Sequence, residues 1–163
     1  MAIGECEMKL KDFLAKWNME SLKIKPSYLE KDFQFVEADQ KAAWDLYIEL
    51  LTRIGTQMLP EEYRDEPGVL ESIHSLFKTT RDVLKANGPA CAQFAKIAVV
   101  VLNQKIRPFT SKWHKHDLKG GFRFSTQNKE FRTELAELQI ELKNYTKMLA
   151  DMAGVEDLTE MEE

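Results

Sequence analysis

Apolar residues recur along four segments of the chain at the alternating three- and four-residue spacing of an α-helix with one buried face. The first segment runs from about 39 to 59. Asp39 can cap its start, and Ala43, Tyr47, Leu50, Ile54 and Met58 form its stripe, widened by Trp44, Ile48 and Leu51. Pro60 and the acidic stretch around it end this helix. A second helix is expected over 69–86, with Ile73, Leu76, Phe77, Thr80 and Leu84 on one face. Asn87-Gly88-Pro89 then supplies a stop and a restart, because Gly or Asn tolerates a left-handed helix end and Pro suits a first helical turn. The third helix, 89–106, is apolar on all sides through CAQFAKIAVVVL, the pattern of a helix at the centre of a bundle. The fourth, 128–153, carries an unbroken heptad seam of Phe131, Leu135, Leu138, Leu142, Tyr145, Leu149 and Met152. Such a seam packs lengthwise along a neighbour within the chain or along a partner chain, and Gly154 closes it.

The flanks are shorter. Residues 5–17, with Met8, Phe13, Leu14 and Trp17, suit a docking helix, and 22–39 reads as irregular or briefly extended. The tail 155–163 is acidic, without a base, and is expected to fray. No repeat or linker divides the chain. The expected fold is therefore a single all-α domain over 1–163, an antiparallel helical bundle of about four long helices with the third at its centre.

Composition narrows the classes. Apolar residues are 44% and charged residues 31% of the chain, which is a globular balance. Cys6 and Cys91 are too few and too far apart for a disulfide framework, and Cys91 reads as a small buried hydrophobe. The amino-terminal residues lack the apolar run of a secretory signal. The most apolar window, Phe94 to Leu102, is nine residues long, about half of a membrane span. A cytoplasmic protein that does not enter a membrane is expected.

Phosphate-binding glycine loops, metalloprotease and cysteine-pair motifs and the nucleophile elbow are all absent, so no cofactor is expected. One segment stands out against the net charge of −4. Residues 103–123 hold Lys105, Arg107, Lys112, Lys115, Lys119 and Arg123 against a single acid, Asp117, with Phe109, Trp113 and Phe122 between them. A basic surface bearing exposed rings can hold phosphates while stacking bases. Arg107, Phe109, Lys112, Trp113, His114, Lys115, Lys119 and Arg123 are accordingly the candidate binding residues. In the competing reading Phe109 and Trp113 cap the bundle end and the lysines are merely solvated. A metal site from His74, His114 and His116 is not expected, because histidines two apart share no helix face. Glu49 and Arg53 form an expected helical ion pair, the alternative being Glu49 reaching Arg81 or Arg107 in the interior.

Arg107 and His114 also resemble the paired arginine and histidine of HEPN ribonucleases, helical proteins that cleave RNA without a metal near a dimer axis. The resemblance implies catalytic roles, with His114 handling the proton of the ribose 2′-hydroxyl and Arg107 stabilising phosphate charge. Pro108 departs from that family's pattern and is expected to interrupt the helix carrying the pair. More broadly, ADQKAAWDLYIELLTRIGTQ, LFKTTRDVL, GPACAQFAKIAVVVLNQKIRPFTSKWH and FRTELAELQIELKNYTKMLADMAGVEDLT resemble a family of small bacterial helical proteins associated with defence or conflict loci. That likeness implies an accessory or effector component of a multi-gene system and brings no activity with it. With no enzyme signature and a localised basic-aromatic segment, the leading expectation is a non-catalytic binding or regulatory module that meets a partner protein, a second copy of itself, a nucleotide or a nucleic acid. HEPN-like RNA cleavage is the alternative.

Overall fold

The expected helical segments are helical, and the chain is all-α apart from one short strand pair. The computed structural model describes residues 8–58, 65–123 and 125–162. Cys6 with the start of the expected docking helix, and Leu59 and Pro60 at the expected end of the first long helix, lie outside the described residues.

The amino-terminal flank is built as expected from short pieces. Strand β1 (Met8–Lys9) leads into helix α1 (Leu10–Lys16), and α2 (Pro26–Leu29) is followed by β2 (Asp32–Phe33). The strands pair antiparallel, Met8 opposite Phe33 and Lys9 opposite Asp32. Phe13, Phe33 and Phe35 meet edge to face at centroid distances of 4.9 to 6.2 Å, closing the flank onto the core. Trp17 donates its indole N–H to Asp151 at 2.9 Å, tying this flank to the far end of the chain.

The first long helix, α3 (Glu37–Leu51), starts two residues before the expected cap and stops earlier than expected. Asp39 is fully buried and joins two helix starts. One carboxylate oxygen accepts the Val36 N–H at 2.9 Å, and the other accepts the Phe94 N–H at 2.9 Å. Thr52 ends the helix by donating its hydroxyl to the Ile48 carbonyl at 2.7 Å, and a 3₁₀ turn follows over Ile54–Thr56. The expected second helix is two: α4 (Glu66–His74), whose start Asp65 caps through Gly68 N–H, and α5 (Leu76–Asn87). They part at Ser75, whose hydroxyl turns back onto the Ser72 carbonyl at 2.6 Å while Arg53 donates to both residues. The expected Glu49–Arg53 pair forms at 2.7 Å, and the same guanidinium also reaches Thr79, so Arg53 ties α3 to the α4–α5 break. Glu49 thus meets Arg53 rather than Arg81 or Arg107.

The largest departure concerns Pro108. The third helix was expected to end at 106. Instead α6 (Ala92–Val101) passes through a π-helical turn, Leu102–Ile106, into α7 (Arg107–Leu118) without a break. Proline lacks an N–H and its ring crowds the carbonyl one turn back. The wider π turn directly before it accommodates the ring and the missing donor, so the helix continues with one backbone hydrogen bond fewer. Helix α8 (Ser125–Ala153) follows and is 29 residues long.

The core is laid around α3, which packs most extensively against α8 and also meets α5 and α6. All seven seam residues of α8 are buried within the chain, so the seam is used internally. Helix α6 is not the all-round buried centre expected of it. Phe94, Ile97, Ala98 and Val101 face the core, whereas Val99 is 42% exposed on the opposite side. Cys91 is buried as expected, and burial pushes its thiol above the usual range. Glu66, also buried, pairs with Arg132 of α8 at 3.0 Å. After Gly154, which adopts the left-handed conformation at φ 71°, the tail does not fray: Leu158 donates its N–H to the Tyr47 hydroxyl at 2.7 Å, and Lys143 and Lys147 hold Glu160. Among the described residues no helix is long and apolar enough to cross a membrane.

Candidate functional site, a basic pocket between α5 and α7

Because α7 runs straight through Pro108, its residues sort onto distinct faces. Phe109 and Trp113 point inward. Trp113 is 1% exposed, stacks with Phe122 and meets Phe131 edge-on, and donates its indole N–H to Glu134 at 2.8 Å. Phe109 packs on Phe131 at 5.5 Å. The two rings are therefore interior, as the competing reading expects, and offer no stacking surface to a ligand.

The lysines on this side are matched by α8. Lys112 contacts Glu130 at 3.0 Å and Glu134 at 2.5 Å, and those hydrogen bonds, Glu134 first, hold its ammonium above the ordinary value. Lys105 pairs with Glu141 at 2.8 Å. Lys115, Lys119 and Arg123 are exposed, the last two beyond the end of α7. The expected continuous basic-aromatic face is thus divided into buried rings, paired lysines and a separate group led by Arg107.

That group forms the candidate site. Arg107 and His114, seven residues apart and so two turns along one helix face, share a pocket of about 230 Å³ with Thr110 and Ser111 of α7 and with His74, Phe77 and Arg81. The Arg107 guanidinium sits over the Phe77 ring, its carbon 4.7 Å from the centroid, and donates to Asn103 at 3.3 and 3.4 Å. Among the described residues no carboxylate lies within ion-pair distance of Arg107 or Arg81. The His74 and His114 rings meet at a tilt of 39°, with centroids 4.7 Å apart. Two guanidinium forks, two imidazoles and the Ser111 hydroxyl make an anion-accepting wall, with the planar donors suited to phosphate oxygens.

His116 does not join them. Its ring packs against Trp113 and Phe122 at 5.1 and 5.7 Å. The carboxylate of Glu71 comes near instead: Glu71, His74 and His114 offer ligand atoms that all lie within 4.8 Å of one another. Two imidazoles and a carboxylate suit a divalent transition metal, a set that the sequence reading of the three histidines missed. Arg81, His74 and Ser111 were missed as pocket residues: Arg81 and His74 arrive from other helices, and only Ser111 lies on α7. The signal was present, since positions 107, 110, 111 and 114 lie on one helix face, but it is legible only when Pro108 is taken inside a helix. No family model, curated protein or solved structure matches the chain.

Proposed function

We propose that the Arg81–Arg107 pocket binds a phosphate-bearing ligand, a nucleic acid or nucleotide, and that the chain serves as a binding module of a bacterial defence-type system. The observation that carries this reading is the convergence of two guanidinium groups from different helices on one pocket, neither with a carboxylate partner among the described residues. Both guanidinium groups are exposed, so an incoming anion meets their combined positive field without first displacing a carboxylate of the protein. The reading takes the long helices as an antiparallel bundle, with α5 and α7 presenting the pocket together. The test is binding of a fluorescent single-stranded RNA oligonucleotide and of ATP at low salt. Arg81→Ala and Arg107→Ala should each weaken capture about tenfold, consistent with a lost charge-assisted contact of ~1.5–3 kcal/mol, and added salt should weaken the wild type more than either variant. Equal binding by wild type and both variants removes the pocket from consideration.

A catalytic reading of the same pocket has one specific observation in its favour: Arg107 and His114 lie along one wall, with Ser111 between them. In that reading His114 exchanges the proton of a ribose 2′-hydroxyl and Arg107 steadies the phosphate. RNA incubated with the protein and a chelator would then be cleaved, and His114→Ala would slow cleavage by about 10²–10⁴-fold. Cleavage that instead requires an added divalent ion would assign the step to the Glu71, His74 and His114 set. Intact RNA under both conditions leaves binding as the function.

A further inference from the structure

The outward face of α6 carries a second apolar stripe. Its inward residues are Phe94, Ile97, Ala98 and Val101, and Ala92, Ala95 and Val99 repeat the helical spacing on the other side. They floor an open groove of about 1020 Å³ that shares no lining residue with the Arg81–Arg107 pocket. Ile24, Tyr28 and Leu84 also line it. Val99 and Tyr28 are 42% and 47% exposed, so apolar surface that the sequence provides for burial is left to solvent.

The charged residues that line the groove are all lysines: Lys23, Lys25, Lys85 and Lys96. None has a carboxylate within ion-pair distance among the described residues, in contrast to Lys105 and Lys112 on the other half of the same helix. The banks are held in place. The Gln104 side chain, from the π turn, accepts the Lys23 N–H and donates to its carbonyl, both at 2.8 Å, which pins the bank carrying Lys23, Ile24 and Lys25. Lys96 is set over the Tyr28 ring at 5.7 Å and donates to Gln93 at 3.1 Å.

We infer that this groove binds a single-chain anionic amphiphile of the long-chain carboxylate type, its tail along Ala92, Ala95 and Val99 and its carboxylate among the four lysines. Charge complementarity selects the sign of the head group, and the apolar floor selects the tail. The volume of the groove is close to the upper bound of the ~300–1,000 Å³ of ligand sites, enough for a small amphiphile. Lysine stems can lie along the tail while their ammonium groups stay at the rim.

The test is calorimetric titration of the full chain with dodecanoate and, separately, dodecyltrimethylammonium, both below their micellar concentrations. Dodecanoate should bind at one saturable site and the cationic amphiphile at least about tenfold more weakly. Val99→Glu, at a solvent-facing position, places a carboxylate in the floor and should raise the dodecanoate Kd about tenfold or more. Lys85→Glu/Lys96→Glu should do the same and turn the preference toward the cation. Melting curves and RNA binding by the same variants should match the wild type, which separates loss of this site from loss of the fold or of the phosphate pocket. Absence of saturable dodecanoate binding, equal affinity for the two amphiphiles, or unchanged affinity in both variants overturns the inference. So does Val99-dependent capture of a glutamate-flanked amphipathic helical peptide when dodecanoate fails, which would assign the groove to a protein segment.

Discussion

The two halves of the helix running from Ala92 to Leu118 are opposite in sequence and opposite again in how the fold treats them. The carboxyl-terminal half, α7, reads as an exposed basic-aromatic surface, yet its rings are interior and Lys112 is neutralised by Glu130 and Glu134. The amino-terminal half, α6, reads as the buried centre of a bundle, yet one of its apolar faces is open and ringed by unpaired lysines. Side-chain chemistry along one helix is therefore a poor guide to its surface until the opposing element is known. What separates the halves is α8, whose glutamates at 130, 134 and 141 lie opposite α7 and the π turn.

The sharpest way to break the comparison is at the start of α6. Asp39→Ala removes the acceptor of both the Val36 and the Phe94 N–H, leaving two donors unmet at the starts of α3 and α6. Loss of a cap and of a buried charge-assisted hydrogen bond should destabilise the protein by about 3 kcal/mol in urea denaturation. A loss below ~1 kcal/mol would show that water replaces the carboxylate there.

At the other half the corresponding anchor is Glu134. Glu134→Ala leaves the buried Trp113 indole N–H without its acceptor and frees Lys112 from one of its two carboxylates. The expected cost is about 1–2 kcal/mol. RNA capture at low salt should rise, because the face of α7 then becomes the net cationic surface that its sequence suggests. If capture is unchanged while stability falls, Lys112 has no part in ligand binding.

The smallest effect lies in the tail. Hydrogen bonds from Lys147 and then Lys143 hold the Glu160 carboxyl below its ordinary value of 4.5. A carboxylate with a depressed folded value contributes stability that is fully present above 4.5 and is lost as pH falls through the lower folded value. The protection factor of the Leu158 amide, read by NMR and corrected for intrinsic exchange, should therefore fall toward acid pH in the wild type and stay constant in Glu160→Gln. Identical profiles for the two proteins would place the anchoring on Tyr47 alone.

Much of the helix content was legible because three- and four-residue spacing survives any tertiary arrangement. The α8 seam and the Asn87-Gly88-Pro89 restart are local, and both appear where the spacing and turn chemistry put them. The candidate pair Arg107 and His114 was also legible, as two residues. Their shared pocket was not, because it depends on the π turn that lets α7 continue through Pro108 and on Arg81 arriving from α5. Local proline rules predict a helix stop at 106, and only the widened turn before it changes that outcome.

Residue spacing and side-chain polarity were enough for the helical class, the inward stripe of α8, the Ala43, Tyr47 and Leu50 face of α3 and the burial of Cys91, but not for Trp44, Ile48 and Met58, which the expected first stripe included and which are exposed. Tertiary structure alone decided which charges are matched and which apolar faces are covered. Those depend on residues far apart in the chain, as Lys105 on Glu141, Arg132 on Glu66 and Asp39 on Phe94 show. No periodicity records such pairings, because a charge or a methyl group is satisfied by whatever the fold brings opposite it.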